Sequence, residues 1–302
     1  MQSRPSPWLV GLVGLTGVLA AIASAAGVLL RGDLATRQFT TIRGDAVEYL
    51  TDGAYRFNGI NIVSEGIGWD LVTLLVIVPA LALTVPSLLR GTLHATLLAA
   101  GFLLYFLYQY AEYAMALAYG PLFPVYVGIV ALSVSSLALL LSRVDLAALP
   151  EQFGPRFPRR AMIAFGLYMA ILLGGMWLPL IARTLTETSV PELYGGMTLV
   201  VQAFDLGFLV PLGLFTAVTV YRRLPVGYLL SAVVIVKGGS IALGIVAMMV
   251  VEWLTTGEPQ LAPIVIFGLT TVAGLAIAVR MYRGIEARSG APIPPTATPV
   301  AA

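Results

Sequence analysis

Cysteine is missing from the 302-residue chain, which excludes disulfides, thiolate metal sites and cysteine nucleophiles. Histidine occurs once, at His94, so no multi-histidine metal centre can form. Charge is scarce: 11% of the residues are Asp, Glu, Lys or Arg, against about 25% in an ordinary soluble domain. Lysine has a single representative, Lys237, beside 16 arginines. There is no GxxxxGK[ST] loop, which removes support for a nucleotide-driven mechanism. A DxxD-type carboxylate cluster, a nucleophile elbow and a zinc motif are missing as well. No catalytic residue and no cofactor can be named from such a sequence.

What the chain has is apolar length. Of its residues 59% are hydrophobic, more than one core of this size could bury, so a lipid bilayer is the expected solvent and the first partner. A helix needs about 20 mainly apolar residues to cross roughly 30 Å of hydrocarbon. Such runs lie near 8–30, 69–89, 93–118, 122–142, 161–182, 197–221, 226–251 and 261–281, each bounded by charge, proline or glycine. The fold class expected is therefore all-α, a polytopic helical bundle of about eight transmembrane helices. The first run ends in Ser24-Ala25-Ala26-Gly27, small residues of the kind found at signal-peptide cleavage sites. It is long and preceded only by Arg4, so it reads as a retained span.

The arginines predict the orientation. With a cytoplasmic N-terminus, eleven fall on inside segments (Arg4, Arg90, Arg143, Arg156, Arg159, Arg160, Arg222, Arg223, Arg280, Arg283 and Arg288). Five fall outside: Arg31, Arg37, Arg43 and Arg56 in one long loop, and Arg183. Both termini are then cytoplasmic. The composition, rich in Ala and Arg and poor in Lys, fits the plasma membrane of a high-GC prokaryote. The basic residues are scattered between apolar runs, so no nucleic-acid partner is expected.

Four segments follow from this pattern: a first transmembrane half over 1–142, a cytoplasmic linker over 143–160, a second half over 161–285 and a disordered tail over 286–302. Within the first half, the outside loop 31–68 is too long for a mere connector and is expected to fold as a cap. The halves resemble one another. Trp69-Asp70-Leu71 and Phe204-Asp205-Leu206 open the second span of each, followed by Pro79 or Pro211 and then by Arg90 or Arg222-Arg223. Four spans per half would give two repeats of the same orientation, and repeat interfaces are frequent binding sites.

Ionisable groups in hydrocarbon are costly and so point to function. Lys237 lies near the middle of the seventh span, too deep to reach either surface easily. Asp205 in the sixth span and Glu112 in the third lie roughly 8 Å below the outer boundary by helical rise, within partial reach of a lysine. Asp205 is the partner expected first. Asp70 marks the outer mouth of the second span. Tyr105, Tyr108, Gln109, Glu112 and Tyr113 recur at helical spacing on one face of the third, a polar stripe poorly suited to lipid.

The reading these residues support is a transporter or ligand-binding protein for a small molecule or ion. Its outward-facing polar cavity would surround Lys237 and be lined by Asp205, Glu112, Tyr105, Tyr108, Gln109 and Asp70. A metal site is not part of it, and an enzyme is the less favoured class. The alternatives are a non-catalytic subunit or scaffold with membrane-protein partners, and a lipid-modifying membrane enzyme. A sole lysine in span seven with a carboxylate in span three also resembles the microbial rhodopsin arrangement, over little more than those two positions. That resemblance implies a retinal Schiff base, against which stand the eighth span and the shallower depth of Glu112.

Overall fold

The computed structural model describes residues 5–33, 35–42, 44–155, 157–186, 193 and 196–289; Arg4, Arg43, Arg156 and the tail from residue 290 lie outside them. Among the described residues eight helices are long and apolar enough to cross a bilayer, so the chain is a multi-pass membrane protein with an all-α bundle. They are α1 (Pro7–Leu29), α2 (Ile60–Leu89), α3 (Leu93–Ala116), α4 (Phe123–Leu141), α5 (Arg159–Thr186), α6 (Val200–Tyr221), α7 (Pro225–Thr256) and α8 (Leu261–Ser289). The last runs on into the segment read as tail.

α2 differs most from expectation, because it begins at Ile60, inside the segment read as loop. Asn61, Ser64, Glu65 and two glycines make that stretch look like a connector. Tertiary packing overrides the local signal: α2 lies along α7, with Ile67 and Val63 in a small core beneath the loop. The cap shrinks to the residues before Ile60 and holds an antiparallel hairpin, β1 (Thr36–Thr40) and β2 (Ala46–Leu50), with Thr36 opposite Leu50. Phe39, Tyr49 and Phe57 form an aromatic row across it. Asn58 locks the cap down, its amide donating to Tyr55 O while its side-chain oxygen accepts from Ala118 N of the α3–α4 turn.

α3 stands in the centre as a wall between two cores. Phe102, Leu103, Tyr105 and Phe106 pack toward α1, α2 and α4, whereas Leu97, Ala100 and Leu104 pack toward α5, α7 and α8. α3 and α7 also lie against each other, so a helix of each half meets at the middle of the molecule.

Two irregular turns mark the second and sixth spans. Thr73–Ile77 in α2 and Asp205–Leu209 in α6 are π-helical, each followed at once by Val-Pro. The cause lies in the prolines, whose rings clash with the carbonyl four residues back. Those carbonyls belong to Leu75 and Gly207, inside the two widened turns. Further along, Gly91 and Arg223 both take positive φ, 73° and 59°, and end their helices alike. Leu224 N donates to Thr219 O just as Thr92 N donates to Ser87 O. Each of these features repeats after 132 positions (205 less 73, 211 less 79, 223 less 91). The aromatic-Asp-Leu triplets are 135 apart (205 less 70) and so sit three residues out of this register. In the shared register Asp205 matches Thr73, and Lys237 matches Tyr105.

Candidate functional site

The polar stripe of α3 is buried in the bundle, and Lys237 of α7 is buried against it with 1% of its surface exposed. The ammonium makes no hydrogen bond. It lies 3.7 Å from the centroid of the Tyr108 ring, 5.1 Å from Tyr105 and 5.9 Å from Trp69 of α2. An ammonium over an aromatic face gains about 0.5–2 kcal/mol, more when dry. Burying it costs several kcal/mol, so the rings alone do not hold it there. The balance comes from the field of Glu112 and Asp205, both of which interact electrostatically with Lys237.

Asp205 is not bonded to Lys237, contrary to the pairing expected first. Its carboxylate is already satisfied: Tyr108 donates to Oδ1 at 2.5 Å and Trp177 of α5 donates its indole N–H to Oδ2 at 2.6 Å. The π turn starts at Asp205 and brings it over Tyr108, whose ring is flanked by Phe204 and Phe208. The Tyr108 hydroxyl also lies within reach of Glu112. One tyrosine thus stands beside the carboxylates of two helices, giving its one hydrogen to Asp205, while its face carries the lysine.

The matching turn in α2 does parallel work without charge. Thr73 donates its hydroxyl hydrogen to Trp69 O, so Tyr105 is the donor in the 2.7 Å contact between their hydroxyls. Two buried oxygens on α3 are left over: Glu112 Oε1 and Gln109 Oε1 have no hydrogen-bond partner.

Asp70 belongs elsewhere. It accepts from Tyr55 of the cap at 2.5 Å and sits against Gly27 of α1, where a methyl group would lie 1.7 Å from its Oδ2. Burial, and next the Asp70 charge, push the Tyr55 phenol well above its ordinary range. The folded protein thus favours the neutral phenol, a contribution complete below about pH 10 and lost as pH rises further. Asp70 therefore anchors the cap rather than meeting Lys237.

The cluster is closed rather than open to the outside. Two openings in the described residues lie away from it: one beside Val272 and Arg280 on α8, and a small one between Tyr55, Asn58 and Tyr126. Among the described residues no group of three or more His, Cys, Asp or Glu could hold a metal. Trp69, Trp177, Phe204, Phe208 and Thr73 join the site unannounced by the sequence. Aromatic residues in membrane helices ordinarily read as packing or interfacial anchors, and only the recurring Val-Pro near each would have singled out these turns. No protein-family model, no curated protein and no solved structure matches the chain.

Proposed function

We propose that the protein is a transporter or solute-binding protein of a prokaryotic plasma membrane, with a site for a small molecule or ion centred on Lys237. The two halves are read as duplicated four-helix units, a reading supported by the π turns, prolines and helix ends that recur at one spacing. The site then lies where the halves meet, with the termini and most arginines cytoplasmic and the hairpin cap over the outer mouth.

One observation carries this reading. A buried ammonium and two buried carbonyl-type oxygens, those of Glu112 and Gln109, all lack hydrogen-bond partners in the same region of the bundle. Native structures rarely leave such groups unpaired without a reason in function. A lysine kept only to fix packing would close a direct bond with a carboxylate, since an imperfect buried pair loses more to desolvation than it gains. Here the ammonium rests on rings instead, with Glu112 available to a solute or to a change of helix position. The closed cluster is one end of such a change. The π turns of α2 and α6 flank it and supply the places where these helices can bend.

The natural absence of cysteine makes a direct test simple. Gln109→Cys is expected to react with a membrane-impermeant methanethiosulfonate reagent added outside intact membranes, because transport requires the site to meet water. Leu269→Cys, on an exposed stretch of α8 facing lipid, is expected to stay unmodified. If the cysteine at 109 reacts from neither side of the membrane, the cluster is static packing and the transport reading fails.

A further inference from the structure

The charges and the hydrogen bonds of the Lys237 cluster do not balance as ordinary ionised side chains. Lys237 contributes one positive charge, and Glu112 and Asp205 would contribute two negative ones. Asp205 has the bonding of an ionised group, since one oxygen receives an indole N–H, which can only donate, and the other receives the Tyr108 hydroxyl. Paired through the low dielectric with Lys237, it completes a neutral set. Glu112 is then the surplus acid, 7% exposed, with Oε1 unpartnered.

Gln109 precedes Glu112 by three residues on α3, so their side chains are neighbours on one face. It is 2% exposed and its Oε1 is unpartnered too. Two acceptor oxygens at neighbouring positions of one helix face cannot bond to each other. Adding one hydrogen to Glu112 changes this: the carboxylic acid O–H becomes a donor and the amide oxygen of Gln109 can receive it. A single proton thereby neutralises the surplus charge and satisfies two orphaned atoms.

Resting on the transport reading, we infer that Glu112 is the loading site for a transferable proton, held toward Gln109 and opposed by Lys237 in the closed state. The ligand is a proton rather than a metal cation, because two free oxygens beside an ammonium make no coordination shell. The charged and titratable groups that face Glu112 are Lys237 of α7, Asp205 of α6, Glu65 of α2, and Tyr105 and Tyr108 of its own helix. Tyr108, which donates to Asp205, lies beside the loaded acid, so release of the proton changes the field on both α6 and α7. An empty Glu112 becomes a second anion for Lys237 and draws the ammonium off the Tyr108 ring, which couples proton occupancy to the position of α7.

Infrared difference spectroscopy on the full chain in sodium-free proteoliposomes tests this without any solute. On a step from acid to alkaline buffer, wild type is expected to lose a protonated-carboxyl C=O band. The band should be absent in Glu112→Gln, retained in Asp205→Asn, and moved to higher frequency in Gln109→Leu, where its acceptor is gone. The amide bands of the same spectra report whether each variant is folded. Persistence of the band in Glu112→Gln, or its loss in Asp205→Asn, overturns the assignment. So does a wild-type band that ignores pH but disappears on adding sodium. Because the titration needs no solute, a normal Glu112 band with an unreactive cysteine at 109 would sink the transport reading and leave the proton site standing.

Discussion

Lys237→Met is expected to melt no lower than the wild-type protein, because it removes a buried ammonium that makes no hydrogen bond. The expectation follows from how the neighbours are satisfied. Asp205 keeps its donors from Tyr108 and Trp177 when the lysine is gone. Glu112 can take a proton. Methionine is flexible, fills the space among the rings of Tyr105, Tyr108 and Trp69, and makes favourable sulfur–aromatic contacts. The wild-type chain therefore carries the cost of an ammonium that its fold does not need, the usual mark of a group retained for function. A lysine serving as a structural ion pair predicts the opposite, a loss of about 3–5 kcal/mol on removing one partner. Thermal melting of both proteins in the same detergent separates the two by sign.

A substitution at Gly68 is expected to do the most damage to the bundle. A Cβ there would lie 2.4 Å from Met248 Cα and 2.5 Å from Met248 N, so α2 meets the backbone of α7 directly. Backbone atoms cannot turn aside as a side chain can, and small residues at such crossings are what let membrane helices approach. Overpacking of this kind costs about 1–3 kcal/mol, occasionally more. Gly68→Ala should fall within that range and Gly68→Leu beyond it, with the loss of the Lys237 site as well. Trp69 follows in sequence and packs over Gly244, where a methyl group would lie 2.0 Å from its ring, so separating α2 from α7 also removes one wall of the cage. Gly175→Ala is the matched control. It has open space around its Cβ position and should be neutral or slightly stabilising through helix propensity. Equal melting temperatures for Gly68→Leu and wild type would refute the close α2–α7 crossing.

Much of the architecture could be read from the sequence because the bilayer imposes a coarse rule. Apolar length and charged punctuation mark all eight spans, and the largest displacement is the start of α2 at Ile60. There Gly66 and Gly68 read as loop residues because their use depends on neighbours absent from any local window: Tyr55 packs on the first and the α7 backbone on the second. The spacing of Tyr105, Tyr108, Gln109 and Glu112 was enough to place them on one inward face. Partnerships were harder. Helical rise brings Asp205 near Lys237 in depth, but rotation of α6, set by its π turn, hands the carboxylate to Tyr108 and Trp177 instead. Asp70 has the same sequence surroundings as Asp205 yet serves the cap, since the triplets are three residues out of register with the turns that follow them. Such a shift moves a side chain about 4.5 Å along its helix and about 60° around it. Pattern matching of triplets could not detect it.

A ligand held by Lys237 is open to detection by native mass spectrometry of the gently solubilised protein. Wild type and Lys237→Met are compared under identical conditions. A small molecule is expected bound to the wild-type chain and missing from the variant, with its added mass reporting the ligand class. An unliganded mass for both, or the same lipid or protein attached to both, would contradict it and leave Lys237 as part of the packing alone.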